Sequence, residues 1–325
     1  MVVDVLTIGR SGVDAYPRQS GVTLEHVTTL STFLGGSPAN VAVAAARQGR
    51  SSAVITAVGD DAFGRFVRSE LQRLGVAVTG VLTMPGARTS VTFCELFPPD
   101  HFPLHFYRDS PAPELRLTSA DIDLTVVREA GVLWLTGPGF SQNSSREAHH
   151  AMIAARAGAP IVLDLDYRSA FWSSPQEARA AIGEVLADMD VVVGNEQECQ
   201  VATGERDPED CARALLDAGA RLAVVKRGPH GALALSRDER VQLPALPCTV
   251  VNGLGAGDAF GGVLAHGLLA GWGLEHTLRR CVAAGAIVAA ELACAPAMPT
   301  AGQIDEVLRL GYVPARAGHE ERTTP

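Results

Sequence analysis

The chain contains no run of lysine and arginine longer than two residues, as at Arg279-Arg280, and its formal net charge is −9. A nucleic-acid groove needs clustered positive charge, so no nucleic acid is expected as a partner and the nucleotide expected here is a small one. It also lacks a Cys-x-x-Cys pair. The six cysteines, at 94, 199, 211, 248, 281 and 294, stand apart from one another and from histidine, which argues against both a zinc site and a disulfide framework. Reduced, buried thiols fit a cytosolic protein. No apolar run is long enough to span a bilayer: the most apolar one, 281–290, is alanine-rich and bounded by Arg280 and Glu291. The opening Met1-Val2-Val3-Asp4 has no basic segment ahead of an apolar one, so no secretory leader and no membrane are expected.

Two familiar phosphate-binding signatures are missing as well. A Walker loop needs Lys and Ser or Thr after its last glycine, and Asp258-Ala259 follow Gly257 instead. The dinucleotide pattern fails because Gly253 and Gly255 call for a third glycine where Asp258 stands. What the chain does have, over 251–269, is VNGLGAGDAFGGVLAHGLL: three alternating glycines and one acid at the start of an apolar, small-residue helix. Gly253, Gly255 and Gly257 can gather bare backbone N–H groups, and the helix from Ala256 onward favours negative charge at that end. Asp258 then either caps the helix or is a base poised where an anion develops.

With 325 residues, 47% hydrophobic and 19% charged, the chain has an ordinary globular balance. Runs rich in Val, Ile and Leu at 5–8, 53–58, 132–135, 161–165, 191–193 and 222–226 predict strands. Helical patterns at 39–48, 63–74, 145–157, 175–187, 208–218, 256–270, 274–292 and 303–310 separate or follow them. Continuous apolar strands alternating with helices predict an α/β fold with a mainly parallel sheet covered on both faces. Two stretches, within about 11–34 and 88–110, break the rhythm; the second reads as a strand pair around Pro98-Pro99-Asp100. They predict a small separate sheet, either a surface hairpin or a lid over a cleft. One domain over 1–313 is expected, with a mobile tail over 314–325.

Several strand ends carry chemistry. Gly35-Gly36-Ser37-Pro38-Ala39-Asn40 precedes a helix, allowing close approach of a ligand and hydrogen bonding from Asn40 to a polyol, although it also reads as a plain helix start. Asn195-Glu196-Gln197-Glu198 follows the strand over 191–193, where acids would hold Mg²⁺ and its waters beside a nucleotide or merely complement a helix dipole. Lys226-Arg227-Gly228 offers a cation and a glycine to phosphate oxygens at another strand end. Arg168, in Asp164-Leu165-Asp166-Tyr167-Arg168, and Arg108 in the second irregular stretch could fork onto a carboxylate or form surface ion pairs.

Together these elements resemble the ribokinase-like sugar kinases, the PfkB family, from Asp4 to about Leu310, above all in GAGDAF from Gly255 to Phe260. The resemblance implies a three-layer α/β/α sandwich with a β-sheet lid, and ATP with Mg²⁺ as cofactors. It makes Asp258 the general base and Gly255, Ala256 and Gly257 the anion hole. Asn195, Lys226, Gly228, Gly255 and Gly257 would hold ATP, and Glu198 the magnesium through water. Asp14, Gly35, Gly36 and Asn40 would hold sugar hydroxyls. The family pattern DTxGAGD departs here to NGLGAGD; Asn252 and Gly253 replace the acid and threonine, which leaves a monovalent cation in question. The segments GRSGVDAYP, FLGGSPANVAVAAARQG, FCELFPPDHFPLHFYR and DLDYRSAFW resemble a branch acting on a keto-sugar acid, which would give Arg168 and Arg108 a substrate carboxylate to bind. Another keto-deoxy acid, fructose, or a sugar sensor without turnover are the alternatives. The resemblance also implies a homodimer joined through the lid.

Overall fold

The computed structural model describes residues 2–156 and 158–315. Most of the tail expected over 314–325, and Ala157 at the expected end of one helix, lie outside the described residues. In chain order the elements begin with β1 (Val5–Ile8), β2 (Gly12–Pro17), β3 (Leu30–Gly35), α1 (Ser37–Arg47), β4 (Ser52–Gly59), α2 (Ala62–Arg73), β5 (Val76–Ala77), β6 (Val81–Met84), β7 (Val91–Cys94) and β8 (Leu104–Tyr107). There follow α3 (Leu124–Glu129), β9 (Val132–Thr136), α4 (Asn143–Ala155), β10 (Ile161–Asp164), α5 (Pro175–Gly183), β11 (Val191–Asn195), α6 (Glu196–Thr203) and α7 (Pro208–Asp217). The chain continues through β12 (Leu222–Lys226), β13 (Ala232–Ser236), β14 (Arg240–Leu243), α8 (Ala256–Ala270), α9 (Leu274–Ala289) and α10 (Ala301–Leu310).

The main sheet runs β14-β13-β12-β11-β10-β9-β1-β4-β5, with β6 also on β4. It is parallel except where β13 and β14 extend it as an antiparallel hairpin. Strand alternation sorts its two faces. Val132, Trp134, Val162, Val191, Val193 and Val224 pack with α1, α2, α8, α9 and α10, while Leu133, Leu135, Leu163, Val192 and Val225 pack with α3 to α7. The result is the three-layer sandwich expected from the sequence. Among the described residues no helix is long and apolar enough to cross a membrane.

The chain turns from β1 toward β4 on one side and later resumes at β9 on the other. The strand order therefore reverses beside β1, and in such sheets the crevice lies at the carboxyl ends of the strands at that point. Over those ends lies a second sheet, β3-β2-β7-β8, in which β2 pairs antiparallel with β3 and parallel with β7. Both irregular stretches of the sequence thus become one lid. Two expectations shift in detail. α5 ends at Gly183, before 187. α9 stops at Ala289, short of 292, because its last carbonyl turns to accept the N–H groups of Val251 and Asn252 at 2.8 and 3.2 Å. The end of α9 thereby holds the glycine-rich segment in place.

Candidate active site

A cavity of 830 Å³ lies between the lid and the carboxyl ends of the sheet strands, within the range of small-molecule sites. Of the residues singled out in the sequence, Asp14, Gly36, Asn40, Arg168, Asn195, Glu198, Lys226, Gly228, Gly255, Ala256, Gly257 and Asp258 line it. Gly35 and Arg108 are not part of its wall. Gly35 stands across from Asp14, where a Cβ would fall 2.0 Å from the carboxylate, so its bareness makes room for that side chain. Arg108 is instead paired with the buried Glu114 at 2.8 Å and stacked on Phe171 at 4.4 Å. One nitrogen of its fork, Nη2, is engaged there, and it feels the charge of Arg10 in the wall.

The glycine segment works through its backbone. Gly255 has φ +80°, left-handed and suited to glycine, and there it starts α8 with no side chain capping the first turn. A Cβ at 255 would lie 2.6 Å from that of Cys294. Gly257 faces Lys226, whose Nζ would be 3.2 Å from a Cβ placed there. Uncapped N–H groups at a helix start, beside an ammonium, make a cradle for an anion.

Asp258, in that first turn, does not cap its own helix. Its Oδ2 accepts a hydrogen bond from Asn40 Nδ2 at 2.8 Å, joining two residues 218 apart in the chain. Burial pushes its carboxyl up to about 6, against the hydrogen bonds of Asn40 and Ser37. A carboxyl of that pKa is mostly ionised at neutrality and a stronger base than an ordinary carboxylate, as a proton acceptor requires. Asp14, in the lid, is also raised by burial, though Tyr16 donates to it at 2.6 Å and Arg10 attracts its charge.

Opposite the helix start stands a cluster of acids and cations. Lys226 Nζ lies 3.4 Å from Asp164 and 4.0 Å from Glu198. Burial opposes its charge, but Asp164, Glu198, Asp258 and Asp166 outweigh that and hold the ammonium protonated. Burial raises Asp164 in turn. Arg168 pairs with Asp166 at 2.8 Å and Glu198 at 3.5 Å, and Asp166 foremost holds its guanidinium charged. Asp166 adopts φ +34°, unusual for a residue with a Cβ. Glu198 and Asn195 also close a reciprocal capping box at the start of α6, through contacts of 2.7 and 2.8 Å. The helix-terminal reading of that acidic group is therefore realised in the cavity wall itself.

The donor set suits magnesium carried on phosphates. Six carboxylates, Asp14, Asp100, Asp164, Asp166, Glu198 and Asp258, face three cations, Arg10, Arg168 and Lys226. Such an excess repels a triphosphate unless a divalent ion comes with it. Among the described residues no three metal-binding side chains are arranged to hold an ion by themselves, the ordinary situation for an ion shared with nucleotide oxygens.

Sequence reasoning passed over Arg10, Tyr16, Ser37, Asp164 and Asp166, all in the wall. Asp164 and Asp166 sit in the segment that carries Arg168, so the rule that strand ends face the ligand could have found them. Tyr16 donates to Asp14 two residues earlier on β2, a same-face spacing that strand periodicity could have flagged, whereas its contact with Cys294 comes from the fold.

The model of the pfkB family carbohydrate kinases matches residues 3–301. The chain is 31% identical over 314 residues to the 5-dehydro-2-deoxygluconokinase of Geobacillus kaustophilus, covering 94% of this chain and 93% of that protein. It is 33% identical over 307 residues to the protein of the same name from Photobacterium profundum, covering 92% of each. Among solved structures, a fructokinase double mutant from Vibrio cholerae O395 with fructose, ADP and potassium bound aligns with a TM-score of 0.83 at 28% identity, covering 94% of this chain and 97% of that one. The cavity at the strand ends is thus set in the fold of a phosphoryl-transfer enzyme, and the chain belongs to the pfkB family of carbohydrate kinases.

Proposed function

We propose that this kinase transfers the γ-phosphoryl group of ATP to the terminal hydroxyl of 5-dehydro-2-deoxy-D-gluconate, forming the 6-phosphate during myo-inositol breakdown. The names of the relatives, at 31% and 33% identity over more than nine-tenths of the chain, support that acceptor. The observation that carries the chemistry is the Asp258 carboxylate, raised to about 6 by burial and fixed by Asn40 beside the uncapped start of α8.

In this reading Asp258 accepts the proton of the attacking hydroxyl as its oxygen bonds to phosphorus and the bond to ADP breaks. Phosphoryl transfer of this kind rests on positioning and charge stabilisation. The N–H groups at 255–257 and the Lys226 ammonium would receive the phosphoryl oxygens. Asn195 and Gly228 would flank the nucleotide, whose base would lie along the apolar trough of Ala245, Leu246, Val282 and Ala286. Magnesium, held by Glu198 through water, would spread the phosphate charge. Asp14, Gly36 and Asn40 would hold sugar hydroxyls, and the lid would exclude water.

A monovalent cation has no part in this reading. Asn252 is fully buried; its amide donates to the Leu292 carbonyl at 2.8 Å and its oxygen accepts from Leu254 N–H at 3.0 Å. A neutral side chain with both ends occupied offers no charge to such an ion. The thiols, none of them in a disulfide, and the use of ATP suit the cytoplasm. The lid edges β3 and β8, with Leu30 and Tyr107 exposed, suit pairing of two copies, which light scattering tests. The reading as a whole is tested by ADP release with 5-dehydro-2-deoxygluconate, 2-keto-3-deoxygluconate and fructose: kcat/KM is expected to be highest for the first, and a preference for fructose would refute it.

A further inference from the structure

A sugar acid brings its own negative charge into a cavity already rich in carboxylate, so one cation must meet it. Arg168 is engaged by Asp166 and Glu198, Lys226 by Asp164 and Glu198, and Arg108 by Glu114 outside the wall. Arg10 differs. It follows β1 at the point where the strand order reverses, lines the cavity, and makes one ion pair among the described residues, with Asp166 at the long distance of 4.0 Å. Its Nη1 is buried and has no hydrogen-bond partner among them, as is Nε of Arg168, but Arg168 already holds two carboxylates at 2.8 and 3.5 Å, whereas for Arg10 a ligand would have to supply the acceptor.

Its surroundings fix where that group points. The guanidinium carbon lies 5.4 Å from the Phe106 ring of β8 and 5.5 Å from that of Phe171, so the lid and the loop after β10 bracket it between aromatic faces. Its carbonyl oxygen lies against Gly36, where a Cβ would come within 2.3 Å. Gly36 precedes by one helical turn the Asn40 that binds Asp258. Arg10 and Asp258 thus line the same cavity, and Gly36 and Asn40 at the start of α1 touch one each.

We propose that Arg10 binds the carboxylate of the acceptor and sets the preference for a sugar acid over a neutral sugar. This rests on the acceptor named above being an acid. Charge-assisted, forked contact to a carboxylate is what a guanidinium with an unused edge provides, and the lid completes the clamp by bringing Phe106 onto it.

The test is steady-state kinetics of Arg10→Gln with the two sugar acids and fructose. For the preferred acid, KM is expected to rise about 10- to 100-fold, the loss of a charged hydrogen bond, with kcat within about threefold and a change in KM for fructose of no more than about threefold. Arg10→Lys, which keeps the charge, should retain part of the preference and serves as the measurement if the glutamine variant does not fold. An equal loss for acids and fructose would reduce Arg10 to a structural strut, and an unchanged KM for the acid would overturn the proposal outright. If the wild type prefers 2-keto-3-deoxygluconate, the acceptor proposed above falls while Arg10 is still judged on that acid. If it accepts fructose alone, both fall.

Discussion

Replacing Asp258 by asparagine changes one oxygen for a nitrogen and leaves an amide oxygen that can still accept from Asn40, now at 2.8 Å from the carboxylate. The geometry of the helix start should survive while the proton acceptor disappears. Loss of a general base typically lowers turnover 10²- to 10⁴-fold, so kcat in an ADP-release assay is expected to fall in that range, with KM for ATP little changed. The wild-type pH profile should carry the same group: log kcat/KM rises with pH below about 6, where the carboxyl is protonated, and levels above it. The asparagine variant should lose that limb. Turnover within tenfold of wild type, or a retained limb, would refute the role given to Asp258.

The same residue should weaken the fold it serves. Burial raises its carboxyl from 3.8 to about 6, so the folded state binds the proton more tightly than the unfolded chain does. Stability is then fully present below about 4 and is lost as pH rises through about 6. A difference of that size corresponds to on the order of 3 kcal/mol. Asp258→Asn should therefore melt a few degrees higher than wild type at pH 8, and the two should converge at pH 4. Equal midpoints at pH 8 would show that the charge is not strained by its surroundings.

Lys226 is the only lysine of the chain, and Lys226→Met would leave Asp164 and Glu198 short of their cation, for a loss of about 3–5 kcal/mol in denaturant unfolding; a loss below about 1 kcal/mol would mean that the acids simply neutralise. Gly255→Ala places a Cβ against Cys294 in a left-handed position, and is expected to cost about 1–3 kcal/mol and to lower kcat while leaving the sugar KM unchanged. Wild-type activity should be equal in potassium, sodium and choline salts. Asn252→Asp would oppose two acceptors across the 2.8 Å contact to Leu292, so that variant should be destabilised and should regain stability with potassium, as read by thermal unfolding.

The layered fold was legible because strands buried on both faces read as unbroken apolar runs, and β1 and β12 occupy the very residues those runs mark. The hairpin of β13 and β14 was not, since Leu233, Leu235 and Val241 alternate with small or polar neighbours over too few residues to rise above a loop. The cap at Asn195 and Glu198 could be read because its two halves are three residues apart. Asp258 was legible as an acid at an anion site. Its hydrogen bond to Asn40 was not, because no local pattern links positions 218 apart.

The arginines show where spacing stops informing. Arg10, Arg108 and Arg168 each stand near the end of a β-strand; Arg108 and Arg168 follow a tyrosine while Arg10 lies between Gly9 and Ser11, and nothing local ranks Arg10 above the others as a carboxylate clamp. What separates them is which acids the fold delivers: Glu114 reaches Arg108, Asp166 and Glu198 reach Arg168, and Arg10 receives the far side of the shared Asp166 carboxylate at 4.0 Å and the longer-range pull of Asp14. Specificity for an anionic acceptor is decided by this distribution of partners across the whole cavity. A substitution that frees Arg108, such as Glu114→Gln, should therefore leave acceptor preference unchanged, because the released guanidinium still lies outside the cavity wall.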